Sequence, residues 1–245
     1  MARVLVVEHE TDAGIGLVGE RMRAAGVELH TVGPETAGPS TSREIPETAD
    51  GFDGVVVLGG RPGPTDDETA PWLPTVRALM AQCLRDEVPL LGICLGAQLL
   101  AVAAGGSVDR IPAGPEIGLG ELTVTDAGAD DPLLHDLPAP LRSLQWHSLE
   151  VQELPAGSVS LCTSDHCVNQ AFRVGPVAWG LQFHLEALAE TAGAWGSDDG
   201  DTLASVGTTS AAVVATMRQA EPTLRTIWST VADRWSQLVL SVAER

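Results

Sequence analysis

Lysine is absent from the 245 residues, and all 14 basic side chains are arginine. A phosphate-cradling Walker-A loop requires its lysine and a Schiff-base enzyme requires a free amine, so both chemistries are excluded. Basic clusters are missing as well. With a formal net charge of -19 and arginines scattered along the chain, nothing is built to neutralise phosphates, which excludes nucleic acid as a partner. No run of 18 or more apolar residues occurs, so no membrane-spanning helix and no membrane partner is expected. The opening MARVLVVEHE enters a β-type apolar segment without the charged head, apolar stretch and cleavage site of a secretory signal, and a cytoplasmic protein is expected. Cysteine is sparse. Cys83, Cys94, Cys162 and Cys167 form no Cys-x-x-Cys pair and, in a reducing compartment, are expected as thiols. Cys162, His166 and Cys167 could begin a metal site, but no further ligand set at suitable spacing accompanies them, so no metal is expected.

The order of the apolar segments indicates the fold. RVLVV at 3–7 reads as a buried strand, followed by a helix from about Gly14 to Ala25 and a strand VELHTV at 27–32. A polar connection at 33–51 leads to GVVVLGG at 54–60, whose continuous apolar run suits a parallel strand buried on both faces. A helix over about 70–86 and the strand VPLLGI at 88–93 come next. Strands alternating with helices predict an α/β three-layer sandwich around a mostly parallel central sheet. After Arg110 the texture changes to short β-like pieces, GELTVT, RSLQWH, SVSLCT, VNQAFRV and VAWGLQF, expected to extend the sheet in antiparallel or mixed pairing. Helical patterns return from Ala187, with a loop expected at GSDDGDT (196–202). A last helix is expected over 221–245, its face formed by Leu224, Ile227, Trp228, Val231, Trp235, Leu238 and Val242. The length suits a single domain, 1–245, with a core of about 2–190 and a helical C-terminal extension of about 191–245.

Two places carry chemistry. In LLGICLGAQLLA (90–101), Cys94 stands where strand 88–93 gives way to a helix starting near Leu95, flanked by Gly92 and Gly96. This is the nucleophile-elbow pattern with cysteine in place of serine, and a helix start supplies free amide donors beside the thiol. A packed, inert thiol in a βα turn is the alternative. In GLQFHLE, His184 and Glu186 are two residues apart, which on a strand puts both on one side. Glu186 could then orient the imidazole and stabilise its charged form, as a nucleophilic cysteine's base requires.

These segments resemble the class I (triad-type) glutamine amidotransferases, and most closely stand-alone members similar to the amidotransferase part of GMP synthase. LGICLGAQLLA resembles the family's cysteine elbow, LQFHLEA its His-x-Glu element, VLGGRPGP its glycine-rich oxyanion loop and QWHSLEV its substrate-binding segment, in the family's order over roughly residues 2–190. The resemblance implies a flavodoxin-like amidotransferase fold, with Cys94 as nucleophile, His184 as base and then acid, and Glu186 as orienter. It further implies an oxyanion hole from the amides of Gly60 and Leu95, and a seat for the amino-acid end of glutamine at Gln98, Ser148 and Leu149. Leu185, Arg61 and Ala97 depart from residues usual in the family, which has proline at the first two positions and, in many members, histidine at the third. The activity implied is hydrolysis of the glutamine side-chain amide through a cysteinyl thioester, without metal or organic cofactor. Because the chain has no evident second catalytic domain, ammonia would pass to a separate synthetase. A free-standing γ-glutamyl hydrolase would use the same triad, and a non-catalytic scaffold would keep only the fold.

Overall fold

The computed structural model describes residues 1–34, 41–42 and 44–244. Part of the polar connection at 33–51, and Arg245 at the end of the last expected helix, lie outside the described residues. A ten-stranded sheet runs through the molecule in the order β3-β2-β1-β4-β5-β12-β11-β10-β7-β8. One half is parallel: β1 (Arg3–Val7) lies between β2 (Glu28–Val32) and β4 (Gly54–Val57), followed by β5 (Leu90–Ile93) and β12 (Ala178–Leu181). The short β3 (Thr41–Ser42) continues this half beyond β2. The other half is antiparallel, built from β11 (Ala171–Val174), β10 (Val159–Thr163), β7 (Glu116–Val124) and β8 (Leu141–His147). The expected α/β three-layer sandwich with C-terminal helices is therefore present, with the later strands added as an antiparallel wing.

Strand β1 shows why the parallel half must be covered on both faces. Its alternate residues divide between two cores, Val4 and Val6 meeting Val18 and Met22 of α1 (Gly16–Ala24), Leu5 and Val7 meeting Leu79 and Met80 of α2 (Leu73–Arg85). Successive side chains on a strand point to opposite faces, so a continuous apolar run needs a layer of helix on each side. Helix α3 (Leu95–Ala103) joins α2 on its face, and the short α4 (Asp126–Ala129) follows β7. The C-terminal helix α7 (Ser210–Ala243) joins α1. A second, two-stranded ribbon pairs β6 (Ser107–Arg110) with β9 (Leu149–Glu153), neither distinguished by the sequence patterns.

The C-terminal region corrects three expectations. GSDDGDT does not form a loop: α5 (Ala189–Asp198) and α6 (Gly200–Ser205) meet at Asp199, where the chain only turns. Helix α7 does not begin near Pro222 but at Ser210, with the Thr209 hydroxyl accepting from Ala212 N–H at 3.2 Å as its N-cap. Proline within a helix costs about 3 kcal/mol. Burial of Val213 and Met217 on the face that continues through Leu224 offsets it, at roughly 1.5–3 kcal/mol for each fully buried side chain. The same helix buries Val239 rather than Leu238 or Val242, because four-residue steps from Val231 and Trp235 reach 239. Trp228 and Trp235 are core residues. Trp228 packs on Phe183 with ring centroids 5.0 Å apart and donates to the Arg142 carbonyl.

Candidate active site

Cys94 joins β5 to α3 at φ 53° and ψ −107°. Such a backbone costs a non-glycine residue about 1–3 kcal/mol and persists only where its surroundings hold it. Here the Cys94 N–H donates to Leu181 O of β12 at 2.8 Å. The turn also requires its glycines: a Cβ at Gly96 would lie 2.0 Å from the Val57 carbonyl oxygen, and one at Gly92 would lie 2.4 Å from that of Gly96. The elbow anticipated from Gly-x-Cys-x-Gly is thus present, and it holds the sulfur at the C-terminal end of the parallel strands.

His184 and Glu186 come to the same end of the sheet. They do not lie on a regular strand, as expected from their spacing: β12 ends at Leu181, and His184 makes only an isolated bridge, its N–H donating to Leu144 O at 2.8 Å. The chain leaves the sheet here, yet the two side chains still converge, His184 Nδ1 standing 2.7 Å from Glu186 Oε1 with both groups buried. Glu186 Oε2 has no hydrogen-bond partner among the described residues. The start of α1 adjoins this segment, Leu17 N–H donating to Glu186 O at 3.0 Å, so the positive end of a helix lies beside the carboxylate's residue. Burial alone would lower the His184 pKa; the charges of Glu186 and Cys94, with hydrogen bonds to both, outweigh it and push it up to about 10. His184 and Cys94 flank the same glycine, since a Cβ at Gly59 would lie 3.1 Å from His184 Cε1 and 3.5 Å from Cys94 Cβ.

A pocket of about 370 Å³ opens over these groups. Gly60, Cys94, Gln98, Ser148, Leu149 and His184, all singled out in the sequence, border it. Leu95 is the first residue of α3 and carries one of the N–H groups that a helix start leaves without an intrahelical acceptor. Gly96 spends its own on Leu58 O. Gly60 must be small because a Cβ there would fall 2.9 Å from that of His9. Glu186 stands behind His184, outside the pocket lining. Arg61, where the resemblance led to an expected proline, uses the N–H that proline lacks: it donates to Glu10 Oε1 at 2.7 Å.

Several residues that sequence reasoning passed over belong to this neighbourhood. Trp195 of α5 stacks edge-on against His184, with centroids 4.7 Å apart, and donates to Asp12 O. Asp199 accepts from Trp146 Nε1 at 2.8 Å and from the Thr202 hydroxyl at 2.7 Å. His9 is buried, which lowers its pKa to about 4, and its Nδ1 accepts from Trp72 Nε1. Beneath Ser148, His147 sets Nδ1 against Leu149 O and Nε2 against both Gln145 Oε1 and Glu116 Oε2. Burial pushes Glu116 up, but the hydrogen bond and charge of His147 bring its carboxyl below the ordinary value. The signal for α5 and α6 was present only as a helical tendency, and nothing local links Trp195 to a histidine on another segment.

Cys162 and Cys167 serve packing. Both are buried, and burial raises both thiol pKa values, that of Cys162 to about 12. Among the described residues no group of three His, Cys, Asp or Glu side chains could hold a metal ion, and no helix is long and apolar enough to cross a membrane.

Comparison with known proteins places the chain in a family. Residues 12–195 match the family described as glutamine amidotransferase class-I. A glutamine-hydrolyzing GMP synthase subunit of Natronomonas pharaonis is 31% identical over 79% of this chain and 92% of its own length. The glutamine amidotransferase-like protein YfeJ of Salmonella typhimurium is 34% identical over 60% of this chain, the alignment spanning only 62% of that relative. Among solved structures, a glutamine amidotransferase of Thermotoga maritima superposes with a TM-score of 0.83 at 29% identity, covering 96% of this chain and 98% of that one. One from Methylobacillus flagellatus gives 0.85 at 25%, covering 97% and 95%. A matching fold over nearly the whole chain and a family match over residues 12–195 lead to one conclusion: this protein belongs to the class I glutamine amidotransferases and is related to the amidotransferase domain of GMP synthase.

Proposed function

We propose that the chain is a glutaminase acting through a Cys94–His184–Glu186 triad and supplying ammonia to a separate synthetase. The observation that carries this reading is the convergence of the strained Cys94 elbow with the buried His184–Glu186 pair at one pocket. The Cys94 thiolate attacks the side-chain amide carbon of glutamine, forming a C–S bond and an oxyanion that faces the amides of Gly60 and Leu95. The C–N bond then breaks, and the His184 proton leaves with nitrogen as ammonia. Neutral His184 takes a proton from water, hydroxide attacks the thioester, and glutamate departs as the thiolate and imidazolium are restored. Glu186 holds the imidazole in position and stabilises its charge. Gln98, with the main chain of Ser148 and Leu149, holds the amino-acid end. Relatives named as single subunits of GMP synthase support a separate partner. In this reading residues 1–245 act as one unit, the extension completing the pocket wall.

One observation favours a second reading, a free-standing γ-glutamyl hydrolase. Trp195, Asp198, Asp199 and Thr202 of the chain's own extension border the pocket, so no partner is required to enclose a substituted amide. Release of ammonia from glutamine, compared with release of amine from a set of γ-glutamyl amines, decides between them. The glutaminase reading expects a low rate for the isolated chain, because ungated turnover wastes ammonia, and no preference for the amines. A preference of a hundredfold or more, roughly 2.7 kcal/mol of transition-state binding, establishes the hydrolase instead. Both readings require Cys94→Ala to be inactive.

A further inference from the structure

Gln182 lies one residue beyond β12 and is wholly buried. Its side-chain Nε2 is 3.7 Å from the sulfur of Cys94, and its Oε1 accepts from Gln98 Nε2 at 3.1 Å. Which end of this amide faces the sulfur is decided two links away. The Leu149 carbonyl can only accept, and it receives Gln98 Nε2 at 3.3 Å together with His147 Nδ1 at 2.9 Å. Gln98 must therefore present its NH2 group in this direction, and the same group donates to Gln182. A reversed Gln182 would set NH2 against NH2 on one side and an oxygen against sulfur on the other. The orientation with Nε2 at the sulfur is the one the network allows.

We propose that Gln182 is a catalytic residue whose side-chain NH2 donates a hydrogen bond to the Cys94 sulfur and stabilises the thiolate, both before attack and when sulfur leaves in thioester hydrolysis. The assignment rests on the reading of Cys94 as nucleophile. A neutral thiol is a weak acceptor and a thiolate a good one, so a fixed donor in a water-poor site favours the charged form. His184 supplies the opposite charge, but Gln182 acts from a separate direction and does not itself titrate. The remaining charged groups around the sulfur are Glu186 behind His184, Glu116 behind His147, and Glu10, Arg61, Asp198 and Asp199 on the pocket wall; substitution at position 182 leaves each of them in the sequence.

The test is the pH dependence of Cys94 alkylation by a neutral haloacetamide, read site by site by mass spectrometry, alongside glutamine kinetics. Gln182→Met keeps the volume and removes the donor. Gln182→Glu keeps an acceptor for Gln98 and replaces Nε2 with oxygen, so it decides the matter where the methionine variant fails to fold. The expected result is a midpoint shifted upward by about one pH unit in Gln182→Met, with roughly tenfold lower kcat at neutral pH and KM within about twofold. A larger shift is expected in Gln182→Glu. An unshifted profile in folded variants whose Cys94 still labels overturns the role of Gln182 and leaves the triad intact. Absence of Cys94 labelling in the unsubstituted protein overturns both.

Discussion

The Trp195 indole stands edge-on to the His184 imidazole, at 4.7 Å between centroids and 63° between planes, so the C-terminal extension touches the candidate base directly. The same indole meets Trp146 at 5.8 Å and donates to Asp12 O at 3.0 Å. Trp195→Ala removes a nearly buried ring, at a cost of about 3–5 kcal/mol. We expect a melting temperature lower by on the order of 10 °C and a kcat/KM for glutamine reduced at least roughly tenfold through loss of His184 positioning. Trp195→Phe keeps the edge contact but not the donor and should fall between. Unchanged kinetics in a folded alanine variant would show that the ring serves packing alone.

The His184–Glu186 pair makes stability depend on pH in a stated direction. Burial opposes the imidazolium, yet the charges of Glu186 and Cys94 and their hydrogen bonds raise its pKa from 6.5 to about 10. A group raised in the folded state contributes stability that is fully present below its unfolded value and is lost as pH rises through its folded one. The window is therefore from about 6.5 to about 10. Glu186→Gln removes the carboxylate charge and lowers the folded value. Its melting temperature should then fall less steeply than the parent's across that window, and the imidazole resonances of His184 should titrate at lower pH. Coincident curves would remove Glu186 as the source of the shift.

Thiol selectivity follows from burial. Desolvation pushes Cys83 and Cys162 up to about 12 and Cys167 higher still. Cys94, by contrast, borders the pocket. A limiting amount of a glutamine-like electrophile near neutral pH should modify Cys94 ahead of the other three. Labelling of Cys83, Cys162 or Cys167 first, in folded protein, would contradict the assignment of the nucleophile.

The elements most legible in the sequence were those whose signal is local. The runs at 4–7, 54–57 and 90–93 are apolar without a break, which only a strand covered on both faces can use, and the structure places all three side by side. The ribbon of β6 and β9 was missed because SVDR has neither alternation nor apolar length and the alternation in LEVQE carries only two apolar residues. Pro222 misled for the opposite reason. Its local preference for a helix start was overridden by burial of Val213 and Met217 a turn or more earlier.

For the site, the sequence by itself singled out the Cys94 turn, because steric limits on a tight turn are a property of a short segment, and it named His184 and Glu186, although the strand expected to align them ends at Leu181. Only the tertiary structure decided what surrounds them. Gln182 reaches the sulfur because the chain leaves β12 beside β5. Its amide is oriented by Gln98, and that in turn by Leu149 across 51 residues. Trp195 reaches His184 because α5 folds back over the strand ends, held by Asp12 from 183 residues away. Hydrogen bonds and ring contacts of this kind depend on distances fixed by packing, and no periodicity or spacing along the chain encodes them.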